Sequence, residues 1–409
     1  MIRERLSRLS RGTRTTIALV VVAVTAACTP VTYQGFTYSS GASTPTADKP
    51  QSKIWFNDGA WWALLLAPSA KVQIFELLAN HTWRDTGTVV DDRTTSTGDA
   101  LWDGATGKLY VGSRADGGGQ VRLARLSYNS GTRSYSMDSG FPDQIAASGS
   151  ESLTIAKDST GLIWATQVRN GKVLVTHTIA GSGDLNWRSL YQPAGGTSAC
   201  LAGDITCTHE DDISSVVTLH GKIGVLWSNQ LDSTFRFAVH VDGAADNAWT
   251  TETAFSGPLS TDDHLNIKNV TSASDGRLFA AVKTNTLGSS EPLCVLLVRS
   301  KTGVWTNHTY STRADDQTRP IVAVDEVHQE LYYFASKTGG GAAIWYKKTS
   351  LNNISFGPGR GDPFVQFSGA ANLNNPSSTK QVVNATTNIV VLASDETQNR
   401  YYHGELDIA

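Results

Sequence analysis

The stretch Asp262-Asp263-His264-Leu265-Asn266-Ile267-Lys268 shows the pattern by which the whole chain is organised. An acidic, polar lead-in precedes a short apolar run, a turn rich in Gly, Asn or His follows, and a strongly apolar run closes the unit. Related acidic lead-ins stand at Asp91-Asp92-Arg93, Glu210-Asp211-Asp212 and Asp315-Asp316-Gln317. A pattern that returns in this way along one chain indicates a repeat fold.

The closing apolar runs allow the repeats to be counted. There are seven of them, at residues 60–65, 108–112, 162–165, 222–227, 277–282, 330–335 and 388–393. Their spacing of about 50 residues is typical of a propeller blade. An aromatic residue near the expected fourth strand follows all but the last: Trp83, Tyr135, Trp187, Trp249, Trp305 and Phe356. We therefore predict an all-β, seven-bladed β-propeller over residues 52–409, with six or eight blades as the alternatives.

Composition excludes several classes of function. The chain is 40% hydrophobic and 17% charged, with a net charge of −3, as expected of a soluble globular protein. We find no basic stripe with interleaved aromatic residues, so we expect no nucleic-acid partner. We also find no Gly-rich phosphate loop between a strand and a helix, so we expect no nucleotide, haem or flavin cofactor. A monomer is expected.

The N-terminus has the pattern of a targeting segment. Five arginines precede an apolar run at 17–27, and Ala26-Ala27-Cys28 follows, so we predict a signal peptide over residues 1–27 of an exported bacterial protein. Two fates of Cys28 are open. It is either the lipidated residue of a cell-surface lipoprotein, whose only attachment to the membrane would be this lipid, or the residue just after the cleavage site of a freely secreted chain. The Ser/Thr/Pro-rich residues 28–51 are predicted to be a flexible tether, with ring closure by residues 33–38 as the alternative.

Three further cysteines fit an exported chain. Cys200 and Cys207 share one Gly/Ala/Thr-rich loop, and a disulfide between them would staple that loop. Cys294 lies in an apolar run and is expected to be a buried free thiol. The cysteines and histidines show no zinc spacing.

Polar residues are expected to converge where the chain enters each blade. The first strands of a propeller line its central channel. Aligning the blades on their second strands places these residues at equivalent positions: Lys53, Asp99, Glu151, Ser215, Lys268, Arg319 and Lys380. Repeated aspartates there have a structural explanation, because they can accept backbone N–H bonds or pair with cations of the next blade. His264, Asn266, Lys268, Arg319 and Lys380 differ between blades, which favours a functional role.

Three kinds of function fit these residues. In a lyase acting on a uronate-containing polysaccharide, Arg319 and a lysine would neutralise the carboxylate, and His264, oriented by Asp263, would abstract the proton. In a glycosidase, two carboxylates among Glu151, Asp212 and Asp263 would serve as acid and base or nucleophile. In a protein without catalysis, the channel mouth would bind an anionic sugar or Ca²⁺ through oxygen ligands. The substrate-contacting set would include Lys268, Asn266, Lys380, Asp99, Glu151, Asp212 and Lys53.

The segment Asp262-Asp263-His264-Leu265-Asn266, followed by the Asp275-Gly276 turn, resembles the Asp-Asp-His-Asn segment of secreted BNR-repeat, sialidase-like propellers. That group includes propeller-type ulvan lyases. The resemblance implies a propeller over most of the chain and a glycan or polysaccharide partner, with His264 and Arg319 as counterparts of lyase residues. The rival expectation is a surface protein that uses its propeller as a binding scaffold.

Overall fold

The computed structural model describes residues 29–42, 44–46, 49–116, 119–147, 151–197, 199–201, 203–267 and 276–408. Within these ranges the strands form seven antiparallel sheets, numbered here as blades 1 to 7 along the chain. The seven-bladed β-propeller predicted from the repeat is therefore confirmed. The predicted signal peptide, Cys28 and Lys268 lie outside the described residues.

The strands of the first three blades have the following bounds. Blade 1 contains β2 (Ile54–Asn57), β3 (Ala60–Leu66), β4 (Val72–Leu77) and β5 (Trp83–Asp91). Blade 2 contains β6 (Ser96–Asp103), β7 (Lys108–Ala115), β8 (Val121–Asn129), β9 (Ser134–Met137) and β10 (Asp143–Ala146), with β9 and β10 both paired to β8. Blade 3 contains β11 (Thr154–Lys157), β12 (Ile163–Val168) and β13 (Val173–His177).

The remaining four blades each have four strands. Blade 4 contains β14 (Ser214–Leu219), β15 (Lys222–Asn229), β16 (Thr234–Val241) and β17 (Trp249–Ser256). Blade 5 contains β18 (Leu265–Ile267), β19 (Leu278–Lys283), β20 (Pro292–Arg299) and β21 (Trp305–Thr312). Blade 6 contains β22 (Gln317–Asp325), β23 (Glu330–Lys337), β24 (Ala343–Ser350) and β25 (Asp362–Gln366). Blade 7 contains β26 (Leu373–Ser377), β27 (Ile389–Asp395), β28 (Arg400–Leu406) and β1 (Val31–Thr37).

Helix is nearly absent from this part of the chain. A single 3-10 turn, Arg313–Asp315, precedes β22. Among the described residues, no helix has the length and apolarity needed to cross a membrane.

The N-terminal strand closes the ring. β1 pairs antiparallel with β28 from Val31 opposite Glu405 to Thr37 opposite Arg400. Closure by an N-terminal strand gives blade 7 its outer strand, which its own repeat lacks. Val31–Thr37 is therefore a ring-closing strand, which agrees over residues 33–37 with the alternative given for residues 33–38.

The apolar runs used to count the repeats are the second strands of the blades. In β3, every residue from Trp61 to Leu66 is buried, β27 is buried throughout, and β19 is buried except at Lys283. Burial on both faces follows because neighbouring blades cover each face of a sheet, which favours continuous apolar runs over alternating ones. Aromatic residues fill the junctions: Trp62 meets Tyr135 of blade 2 at 5.1 Å between ring centroids. Such edge-to-face pairs stabilise the contact between blades.

One buried aspartate connects several blades at the channel. Asp99 on β6 is fully buried and accepts backbone N–H bonds from Ser52 (2.8 Å) and Ile155 (2.8 Å). Its second oxygen also pairs with the ammonium of Lys380, which follows β26. These contacts join blades 1, 2, 3 and 7, so Asp99 has the structural role expected of a repeated aspartate.

Candidate functional site

The polar residues that converge lie where the first strands of four blades begin. Glu151 precedes β11 of blade 3, and Asp211 precedes β14 of blade 4. Asp263 and His264 directly precede β18 of blade 5, and Lys49 lies upstream of β2 of blade 1. Because the first strands surround the channel, residues at their starts meet at one end of it, called here the channel mouth.

Lys49 is at the centre of this group. Its Nζ lies 2.6 Å from Oε1 of Glu151 and also contacts Oδ2 of Asp263. The Lys49 side chain is only 9% exposed, compared with 35% for Glu151 and 12% for Asp263. The ammonium therefore bridges two carboxylates from different blades below the surface of the mouth, where ion pairs are screened less than in water.

His264 is held by two carboxylates through one ring nitrogen. Its Nδ1 lies 2.6 Å from Oδ1 of Asp263 and also contacts Oδ1 of Asp262. Ionised carboxylates only accept hydrogen bonds, so Nδ1 carries the proton. Nε2 is buried and has no hydrogen-bond partner among the described residues. In the neutral ring this Nε2 is the basic nitrogen, and Asp262 and Asp263 fix its orientation.

The carboxylates of the mouth differ in acidity. Burial raises the pKa of Glu151, Lys49 opposes that rise without cancelling it, and the charges of Asp263 and Asp211 add to it. Burial also opposes ionisation of Asp263, but the hydrogen bond and charge of His264, together with Lys49, hold its pKa far below the usual range. Two neighbouring carboxyl groups whose pKa values are moved apart can divide the roles of acid and base.

The charge of Lys49 is maintained by its neighbours. Burial alone would lower the pKa of Lys49, but the charges of Asp263 and Glu151 outweigh it and leave the pKa raised. Lys283, at the end of β19, pairs with Oδ2 of Asp262 at 2.5 Å. The deeper carboxylates of the mouth therefore have internal counter-ions.

Asp211, and not the predicted Asp212, lies beside Glu151 and Asp263 at the channel mouth. Asp212 is 1% exposed, and its Oδ2 accepts N–H bonds from His209 (2.8 Å) and Gln230 (3.0 Å). It therefore stabilises its own loop. The exposed Asp211 brings a carboxylate oxygen within 4.8 Å of both Glu151 and Asp263. Adjacent residues of one loop point in different directions, which the acidic pattern alone does not predict.

Three predicted substrate-contacting residues are engaged in a buried group of their own. Lys53 is 1% exposed and donates to the carbonyl of Gly98 and to Gln51, both at 2.7 Å. Lys380 is paired with Asp99. These contacts make Lys53, Asp99 and Lys380 connectors between blades, which corrects their expected role as open binding groups.

Asn266 lies against the Lys49 backbone. Its Nδ2 donates to the Lys49 carbonyl at 3.0 Å, and the residue is fully buried on β18. Its Oδ1 has no hydrogen-bond partner among the described residues. Asn266 therefore helps to position Lys49.

Arg319 acts on a second acidic residue. It lies at a bulge in β22, where the register shifts between Thr318 and Ile321, and its φ of 52° is in the left-handed region. Bulges redirect side chains near functional sites. Burial raises the pKa of Glu396, and Arg319 opposes that rise, while Asn375 donates to the Glu396 carboxylate. The charge of Arg319 therefore acts on Glu396, which follows β27 of blade 7 and which the acidic lead-ins do not predict.

The Ca²⁺ ion that the sequence suggested as a ligand does not fit the channel mouth while Lys49 contacts its carboxylates. Glu151, Asp211 and Asp263 each offer an oxygen, the ligand type that Ca²⁺ prefers, and these oxygens lie within 4.8 Å of one another. However, the Lys49 ammonium already contacts Glu151 and Asp263. A divalent cation on those oxygens would be repelled by this charge.

Two cavities lie apart from the charged residues of the mouth. One of about 730 Å³ is lined by Tyr33, Phe56, Trp61, His81 and Glu405, at the junction of blades 7 and 1. Another of about 410 Å³ is lined by Trp55, Trp102, Lys380 and Gln381, between blades 7, 1 and 2. Neither is lined by Lys49, Glu151 or Asp263.

The cysteines are located as follows. Cys200 and Cys207 form a disulfide with Cα atoms 5.6 Å apart. It closes part of the long loop between blades 3 and 4, and an isolated bridge between Cys207 and Lys172 joins that loop to blade 3. Cys294 is a buried free thiol on β20.

Comparison with known proteins supports the architecture. No protein-family model matches the chain, and no curated protein matches it. Among solved structures, a triple mutant of AofleA from Arthrobotrys oligospora is similar over 80% of this chain and 88% of that chain, with 9% identity and a TM-score of 0.51. At this identity the similarity shows the fold alone: this chain is a seven-bladed β-propeller protein.

Two further structures show weaker similarity. The polysaccharide lyase Uly1 covers 88% of this chain and 90% of its own, with 9% identity and a TM-score of 0.49. An α-L-arabinanase from Penicillium chrysogenum, solved with arabinobiose, covers 80% of this chain and 99% of its own, with 10% identity and a TM-score of 0.47. The resemblance to sialidase-like propellers stays a prediction from the sequence.

Proposed function

We propose that this propeller acts on a glycan at the channel mouth, with Glu151 as general acid and Asp263 as its ionised partner. The observation that carries the proposal is geometric: carboxyl groups from two blades, Glu151 and Asp263, meet at the mouth on the Lys49 ammonium. Their pKa values are also shifted in opposite directions, that of Glu151 raised and that of Asp263 lowered. Glycoside hydrolysis needs such a pair, because one carboxyl group must hold a proton while the other is charged.

The spacing favours a retaining mechanism. One oxygen of Glu151 and one of Asp263 lie within 4.8 Å of each other, and a short distance between the two carboxyl groups is typical of retaining rather than inverting enzymes. Glu151 would protonate the glycosidic oxygen while Asp263 attacks the anomeric carbon. Water would then hydrolyse the glycosyl-enzyme, and Glu151 would accept the proton from that water.

His264 supports this chemistry as a positioning residue. Its Nδ1–H is directed at Asp263 and Asp262, so it holds the Asp263 carboxylate in place and stabilises its charge. The lyase alternative would use Nε2 of His264 as the base. It also needs a cation on the substrate carboxylate, and no contact among the described residues joins Arg319 to His264; the charge of Arg319 acts on Glu396. We therefore place hydrolysis before elimination.

A second candidate is a glycan-binding scaffold without catalysis. The pairing of Lys49 with Glu151 and Asp263, and of Lys283 with Asp262, favours it. Carboxylates that are already neutralised by lysines can serve as fixed hydrogen-bond acceptors for sugar hydroxyl groups. Under either candidate we propose an exported monomer that is anchored through Cys28 or freely secreted, as residues 1–28 predict.

The test is a panel of neutral and uronate-containing polysaccharides incubated with residues 29–409, which retain the ring-closing strand. Reducing ends without ultraviolet absorbance would support hydrolysis. Absorbance from an unsaturated uronate would establish a lyase and overturn the assignment of Glu151 as acid. Binding without any product would support the scaffold.

A further inference from the structure

The described parts of the chain between β1 and β2 lie between blade 7 and the channel mouth. This N-terminal arm, residues 38–53, begins where the Tyr38 hydroxyl donates to the Asp395 carbonyl at 3.2 Å. Thr46 is hydrogen-bonded to Ser394 at 2.8 Å. Lys49 then reaches the mouth, and Gln51 donates to the Leu153 carbonyl at 2.9 Å. The described parts of the arm therefore join blade 7 to blade 3 across the channel.

Lys49 is far from its acidic partners in the sequence, and these partners belong to other blades. Glu151 and Asp263 lie 102 and 214 positions further along the chain, in blades 3 and 5. Asp211 of blade 4 completes a group of three carboxylates within 4.8 Å of one another. Whenever Glu151 is ionised, three like charges lie close together, and the buried one, Asp263, requires a counter-ion because an unpaired buried charge is strongly destabilising.

The backbone around Lys49 is fixed independently of its ammonium. Asn266 donates to the Lys49 carbonyl at 3.0 Å, and the Ser52 N–H is bound by Asp99 at 2.8 Å. These hydrogen bonds position the backbone that carries the ammonium, and the Lys49 side chain is 9% exposed. A lysine in an exposed ion pair is more mobile, because neither burial nor backbone hydrogen bonds restrict it.

We propose that Lys49 is a built-in counter-ion: its ammonium contacts Glu151 and Asp263 and takes the place of a divalent cation that these two carboxylates and the nearby Asp211 would otherwise bind. The oxygen donors suit Ca²⁺, and a single positive charge carried by the chain replaces it. The fold thereby couples closure of the ring by β1 to the electrostatics of the mouth. This inference does not depend on the proposed glycan chemistry, since ion binding is measured without substrate.

The experiment compares the wild type with Lys49→Met, which keeps the length of the side chain and removes its charge. Each protein is stripped with EDTA and titrated with Ca²⁺ by calorimetry and by thermal unfolding. We expect Lys49→Met to bind one Ca²⁺ with a dissociation constant between about 10⁻⁵ and 10⁻³ M, typical of weaker protein sites, and its Tm to rise with Ca²⁺ concentration. The wild type should show neither effect.

Matched variants locate the effect. Lys71→Met removes an exposed lysine and should gain no site, and Asp263→Asn added to Lys49→Met should abolish the gained site. The proposal is overturned if folded Lys49→Met binds no Ca²⁺, or if the wild type binds it equally well in a manner lost on Asp263→Asn. If Lys49→Met folds only with Ca²⁺, that result supports the proposal. If it does not fold at all, the double variant decides, because removing one carboxylate charge should restore folding, and failure to do so would contradict the proposal.

Discussion

Lys49 and Asp263 are separated by 214 positions in the sequence, yet the ammonium of the first contacts the carboxylate of the second at the channel mouth. This ion pair joins the segment that closes the ring to the acidic pattern that identifies the repeat. Against the effect of burial, His264 and Lys49 together lower the pKa of Asp263, while burial keeps the pKa of the neighbouring Glu151 raised. The mouth thus holds one carboxyl group that favours its proton and one that does not.

Replacing His264 with Ala should leave the fold intact and remove activity. Asp262 and Asp263 retain Lys283 and Lys49 as partners, so no carboxylate is left without a counter-ion. Loss of the group that orients Asp263 should lower kcat/KM by about 10²-fold, as expected when a reacting group is misplaced. Thermal unfolding and glycan turnover measure the two effects, with His220→Ala, an exposed histidine, as control. Unfolding of His264→Ala alone would show that His264 is structural.

The activity should decline on the alkaline side as Glu151 loses its proton. The pKa of Glu151 is raised by burial, so the proton should remain above the pH range in which an ordinary glutamate titrates. Lys49 opposes that rise, so Lys49→Met should move the alkaline limb of the kcat/KM profile to higher pH. A limb that stays in place in this variant would exclude Glu151 as the titrating acid.

Replacing Asp99 with Asn should destabilise the ring by about 3 to 5 kcal/mol, because Lys380 would be left buried without its counter-charge. The residue is fully buried and binds the N–H groups of Ser52 and Ile155. Denaturant unfolding measures the loss, with the exposed Asp92→Asn as control, since the Asp92 side chain is 70% exposed. Equal stability of the two variants would show that Asp99 does not hold the blades together.

Stability at the ring closure should depend on Glu405. Burial opposes its ionisation, but hydrogen bonds from His403 and His81, each 3.0 Å long, outweigh burial and lower its pKa. A lowered pKa stabilises the fold above the unfolded value, about 4.3, and this contribution is lost as pH falls through the folded value. Glu405→Gln should therefore cost about 1 to 2 kcal/mol at pH 7 and progressively less toward pH 3. A constant difference across this range, measured by denaturant unfolding, would contradict the linkage.

The fold was predictable because the packing of the blades against one another restricts which residues each strand can contain. Second strands covered on both faces must be apolar throughout, so β3, β15 and β27 repeat as visible runs. Ring closure by β1 was only an alternative, because a seven-residue strand in a Ser/Thr-rich segment has no partner until the last blade is placed.

The site was predictable in part. Asp263, His264 and Glu151 follow from the polar lead-ins to the first strands. Lys49 was missed because nothing in residues 28–51 distinguishes it before the arm is known to cross the channel. The choice between Asp211 and Asp212 depends on the conformation of one loop, and that conformation is set by the N–H groups that bind Asp212.

The most direct measurement is the release of reducing ends from the polysaccharide panel by the wild type and by Glu151→Gln, with glycan binding followed in parallel. The account predicts product from the wild type, a loss of about 10²-fold or more in Glu151→Gln, and retained binding in both. Product released equally well by Glu151→Gln, or neither binding nor product with the folded wild type, would contradict the central claim.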